Sequence, residues 1–78
     1  MELYETVKKL DLRADICPFT FSKTKQALAS IESGDIIQVR LNAGEHMENV
    51  PTSVLSEGHQ VIDIVKDGSS YLLYIMKQ

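Results

Sequence analysis

Ile16-Cys17-Pro18-Phe19-Thr20 is the point at which the chain turns from extended to helical, and the fold reads outward from it. Proline suits the first position of a helix, where an N–H would have no partner inside the helix and where the fixed φ already fits. Pro18 therefore predicts a helix running to about Glu32, with Cys17 at its N-cap. Phe21, Thr24, Leu28 and Ile31 recur at three-four spacing with Ala27 beside them, while Ser22, Lys23, Lys25 and Gln26 form the opposite face. That is one apolar stripe on an otherwise polar helix. Gly34 is placed to end the helix in a left-handed conformation, which makes Ser33-Gly34-Asp35 a turn.

Upstream, residues Tyr4 to Arg13 alternate loosely, with Tyr4, Leu10 and Leu12 on one parity and Lys9 and Asp11 on the other. A strand is expected toward the end of this span, although Lys8 breaks the pattern. Downstream, Asp35 to Leu41 reads as a second strand, with Ile37, Val39 and Leu41 facing a core and Gln38 and Arg40 facing water. Strand, helix and strand in succession predict a parallel pair joined by a right-handed crossover.

Beyond the loop Asn42-Ala43-Gly44, a second helical stripe is carried by Met47, Val50, Val54 and Leu55 and stops before Gly58. Proline is costly inside a helix, so Pro51 places the regular part from about Val50 to Glu57, after a looser turn. Gln60 to Lys66 and Tyr71 to Met76 are β runs around Asp67-Gly68-Ser69-Ser70, an antiparallel hairpin. The order βαβαββ predicts an α+β two-layer sandwich. Its sheet is four-stranded and mixed, both helices lie on one face, and residues 1–78 form a single domain.

The totals narrow the function. With 78 residues and one cysteine, the chain has no internal disulfide, no dithiol pair and none of the usual zinc clusters. Eight basic against eleven acidic residues give a net charge of −3, the wrong sign for a general nucleic-acid surface. No apolar run reaches the length of a membrane span or a signal-peptide core, so a cytoplasmic protein is expected. His46 and His59 have no ligand spacing, and Glu45, Glu48, Glu57, Asp63 and Asp67 are scattered without an acid–base pair. Neither a metal nor a cofactor is expected.

Cys17 is the candidate reactive group. The unpaired N–H groups and the positive dipole end of a helix start stabilise a thiolate and can lower a cysteine pKa from about 8.5 to roughly 3.5–7.5. The other reading is a small buried hydrophobe, as free cysteines often are. The residues alone leave both open. Arg13, in the loop leading into Cys17, and Lys23 are the cations placed to hold an anion there. Arg40 joins them if its strand runs alongside, and Lys25 reads as a solvated charge. Phe21 belongs to the core by its spacing, whereas Phe19 and Thr20 are candidate docking contacts for a partner. Asn42 has no evident chemical role.

Several separated motifs, in order, resemble the TusA-like (SirA-like) sulfur-carrier family. Leu10-Asp11 through Cys17-Pro18 looks like its first strand and Cys-Pro loop, and Lys23-Thr24-Lys25 through Ala27-Leu28 like its first helix. Ser33-Gly34-Asp35 resembles the turn before its second strand. Asn49-Val50-Pro51 and Glu57-Gly58-His59 are similar to its second-helix signature and the Gly-His lead-in to the third strand. The sequence departs from the usual Cys-Pro-x-Pro pattern, with Thr20 in place of the second proline, and Ala14 stands where the loop commonly has glycine.

The resemblance implies that Cys17 accepts sulfane sulfur as a persulfide and passes it on. The donor would be a protein of the cysteine desulfurase or rhodanese type, and the acceptor another sulfurtransferase. Without a second cysteine the adduct cannot be resolved within the chain, which suits a carrier. A monomer with no membrane and no direct nucleic-acid partner is expected. Two alternatives use the same chain: a regulatory or RNA-interacting module of this fold, and a thiol redox sensor acting through Cys17.

Overall fold

The computed structural model describes residues 4–13, 19–42 and 44–78, with the backbone alone for 45–49. The alternation around Leu10 forms β1 (Lys8–Asp11), and the apolar stripe after Cys17 forms α1 (Phe19–Ala29). They are followed by β2 (Ile36–Asn42), α2 (Glu45–Ser56), β3 (Gln60–Asp67) and β4 (Ser70–Met76). The sheet order is β1-β2-β4-β3. β1 runs parallel to β2, with Leu10 opposite Val39 and Asp11 opposite Arg40. β4 is antiparallel to both of its neighbours. This is the expected mixed four-stranded α+β arrangement.

The core follows from the strand alternation. Ile37, Val39 and Leu41 of β2 stand opposite Ile75, Leu73 and Tyr71 of β4, and all but Tyr71 are fully buried. Ala27 and Leu28 of α1, Val50 and Val54 of α2, and Leu12 complete the cluster. Both helices therefore pack on one face of the sheet. Each fully buried aliphatic side chain contributes about 1.5–3 kcal/mol.

Two helix boundaries differ from expectation. α1 stops at Ala29 rather than near Glu32. The Ser30 hydroxyl donates to the Ala27 carbonyl at 2.8 Å, and Ser30 and Ile31 N–H close shorter bonds to Ala27 and Leu28, which tightens and ends the last turn. Gly34 consequently lies beyond the helix end, where its N–H donates to Lys77 O at 2.8 Å.

α2 starts at Glu45 and runs through Pro51 instead of beginning near Val50. The proline removes one helical donor, at a cost of about 3 kcal/mol. Burial of Val50 and Val54, one turn apart, is of the same size and holds the helix on the sheet on both sides of Pro51. The C-terminal end is as expected. His59 N–H bonds to Val54 O and Gly58 N–H to Leu55 O, both at 3.0 Å, with Gly58 at φ +92°. This double closure needs a left-handed residue, which glycine supplies without strain.

The hairpin turn is tighter than expected, since β3 and β4 extend to Asp67 and Ser70. Gly68, at φ +62°, is the first of its two central residues, the position that needs glycine in a hairpin turn of this kind.

The outer sheet face is not uniformly wet. Tyr4 lies on it rather than on the parity of Leu10, its ring 4.9 Å from that of Tyr74, and its hydroxyl donates to Asp63 at 3.1 Å. That hydrogen bond raises the Tyr4 pKa above the usual phenol value. Gln38 donates to the Tyr74 hydroxyl at 3.0 Å, and Tyr74 is only 4% exposed.

Candidate functional site

β1 and β2 end side by side at the edge of the sheet where α1 begins. At this edge Arg13 is clamped by Asp11: Nε donates to Oδ1 at 2.8 Å and Nη2 to Oδ2 at 2.6 Å. The hydrogen bonds from Arg13 hold the Asp11 carboxyl down at about 2. The same contact raises the Arg13 pKa further. Both side chains are about half exposed, at 49% and 54%.

Asn42, the last residue of β2, donates through Nδ2 to the Arg13 carbonyl at 3.0 Å. It thereby fixes the backbone at Arg13, the last described residue before Cys17 in the chain. The parallel register explains the contact. If Asp11 stands opposite Arg40, then two residues further on Arg13 comes to Asn42. Asn42 and Asp11 both hold Arg13, contacts that sequence reasoning missed and that the parallel register was the signal to find.

Cys17, Pro18 and Ala14 lie outside the described residues, as do the side chains of His46 and the acidic Glu45 and Glu48. α1 begins at Phe19, two residues after Cys17 in the chain, and has no acidic residue in its first turn to oppose the positive dipole end. Phe19 is 58% exposed. Thr20 is fully buried, so it offers no surface to a partner, contrary to the docking role expected of it. Its carbonyl accepts from the Thr24 hydroxyl at 2.9 Å inside the helix.

The cations do not form one cluster. Lys23 lies on the side of α1 that faces β1. With Lys8, Leu10, Leu12, Gln26, Ala27 and Ser30 it lines an open groove of about 420 Å³. Arg40 does run alongside β1, but on the outer face, where Nη1 donates to Asp67 at 2.7 Å and Ser70 at 2.8 Å. Lys25 ties α1 to the end of α2 through Glu57 at 3.3 Å. His59 accepts from the Gln78 N–H at 3.2 Å. Among the described residues no three His, Cys, Asp or Glu side chains converge as a metal site, and no helix is long and apolar enough to cross a membrane.

Comparison with known proteins places this geometry. The family described as Sulfurtransferase TusA matches residues 8–77. A protein of Archaeoglobus fulgidus, provisionally designated a sulfur carrier protein, is 36% identical over 74 residues, spanning 95% of this chain and 84% of its own length. One from Thermotoga maritima with the same designation is 34% identical over 76 residues, spanning 96% of each chain. The crystal structure of a SirA-like protein from Desulfitobacterium hafniense superposes with a TM-score of 0.78 at 22% identity, over 90% of this chain and 96% of that one, and so shares the fold. The sheet, the helix start after Cys17 and the match along nearly the whole sequence lead to one assignment: this chain belongs to the TusA family.

Proposed function

We propose that this protein is a sulfur carrier that holds sulfane sulfur as a persulfide on Cys17. The observation that carries the reading is the start of α1 at Phe19, directly after the chain's only cysteine and Pro18. In loading, the Cys17 thiolate attacks the outer sulfur of a donor persulfide. The donor S–S bond breaks, the donor thiolate leaves, and a bond from Cys17 Sγ to the sulfane sulfur forms. In unloading, an acceptor thiolate attacks that outer sulfur and the Cys17 thiolate is released. No electrons are gained or lost over the cycle, so no cofactor is required.

A persulfide is anionic at neutral pH, so the helix start that favours the thiolate favours the adduct. Lys23 adds positive charge from α1. Arg13 contributes less than its sequence position suggests, because Asp11 neutralises it. The donor is of the cysteine desulfurase or rhodanese type, the acceptor is a sulfurtransferase, and the exchange takes place in the reducing cytoplasm. The carrier designation of the relatives supports this role. The RNA-interacting alternative has weaker support, since Tyr74 is covered by Tyr4 and Arg40 is engaged with Asp67 on the outer face.

The test is the intact mass of the reduced protein and of Cys17→Ser after incubation with a persulfidated sulfurtransferase. One added sulfur on the first, absent from the second and removed by a thiol, is expected. Absence of an adduct with several donors, together with slow alkylation at neutral pH, would overturn the reading.

A further inference from the structure

The groove between β1 and α1 has a composition that the fold does not require. Its β1 wall is Lys8, Leu10 and Leu12, the alternate residues that face the helix layer. Its α1 wall includes Lys23, Ala27 and Ser30. Two lysines and, among the described residues, no carboxylate line it, in a chain of net charge −3. Lys8 extends across the groove to donate to Ser30 Oγ. β1 is also an edge of the sheet, paired among the described residues on its β2 side only.

From these features we infer that the groove docks an acidic, extended segment of the protein that exchanges sulfur with Cys17. The inference rests on the carrier reading for the partner's identity. An extended segment can add to the open edge of β1 through main-chain hydrogen bonds, with alternate side chains turned under α1. Apolar side chains would meet Leu10, Leu12 and Ala27, and carboxylates would meet Lys8 and Lys23. The opposite edge, β3, disfavours the same segment, because it carries Asp63 and Asp67. Position supports the assignment too. The β1 wall leads through Arg13 into the 14–18 segment, and the α1 wall descends from Phe19, where that segment ends. A segment held here lies along the two elements that lead into and out of residues 14–18 in the chain.

The experiment is an amide NMR titration of the full chain, and of Cys17→Ser, with a capped peptide of alternating Glu and Val. A Lys–Val peptide serves as the comparison. Saturable shifts over Lys8 to Leu12 and Lys23 to Ser30 are expected with the acidic peptide only. Salt should weaken them, since exposed charges are screened within roughly 10 Å at 0.1 M. The double variant Lys8→Glu, Lys23→Glu should weaken binding by roughly tenfold or more, and Lys66→Glu on β3 should not. No saturable shifts, shifts at β3 instead, or an equal response to the Lys–Val peptide would overturn the inference. So would shifts that follow protein concentration alone, which would make a second copy the occupant. Sulfur loading is scored separately by mass. Loading without peptide binding overturns the groove and leaves the carrier reading standing, whereas binding without loading overturns the carrier reading and leaves an acidic-peptide site.

Discussion

Leu28→Ala and Leu55→Ala make the same chemical change on the two helices in opposite environments. Leu28 is 1% exposed between α1 and the sheet, whereas Leu55 is 59% exposed on α2. Truncating Leu28 removes buried methyl and methylene groups worth about 0.8 kcal/mol each and leaves a cavity, so the loss is roughly 2–5 kcal/mol. Truncating Leu55 should stay within about 0.5 kcal/mol, since alanine is the better helix former. A chain of this length has a total stability of about 4–12 kcal/mol, so the first variant should lose a large share of it. Urea unfolding followed by circular dichroism reads both. A shift in midpoint at unchanged slope for Leu28→Ala, worth several times that of Leu55→Ala, is the expected result. Equal shifts, or a loss below about 1 kcal/mol at Leu28, would refute the packing of α1 described above.

Further outcomes follow from the cysteine edge and the turns. Asp11 should titrate near 2 by NMR, and Arg13→Gln should return it toward 3.8. Because the folded-state value is depressed, the stabilisation is present above about 3.8 and disappears as pH falls through about 2. Asn42→Ala should cost about 1 kcal/mol or less and speed hydrogen exchange around Arg13 while leaving β3 unchanged. Gly58→Ala should destabilise by roughly 1–2 kcal/mol by thermal unfolding, and the cause is the left-handed backbone alone. A Cβ there meets nothing within 4 Å at φ +92°.

The strands were the most legible part of the sequence, since the alternation in Ile37-Gln38-Val39-Arg40-Leu41 states which side is buried. The helix ends were less so, because they turn on single competing contacts. At Ser30 a side-chain hydroxyl takes a carbonyl from the last turn of α1, and at Pro51 buried valines on either side outweigh a local cost. The alternation puts Tyr4 on the wrong face. Its partner Asp63 is 59 positions away, and no local period encodes such a contact. At the cysteine edge the residue types were readable but their pairings were not. Asp11 neutralises the arginine singled out as an anion holder, and Asn42 gains a role only once β1 and β2 are in register. Burial of Thr20 follows from its place on the inward side of α1, which the three-four stripe began one residue too late to include.

The most direct test of the central claim follows one sulfur through both halves of the exchange. The protein is loaded by a persulfidated donor, purified from it, and mixed with a reduced sulfurtransferase whose cysteine is free, with both masses recorded over time. The account predicts that this chain loses the mass of one sulfur as the other gains it, and that Cys17→Ser never carries it. A sulfur that stays on Cys17, or a mixed disulfide that accumulates without transfer, would contradict the account.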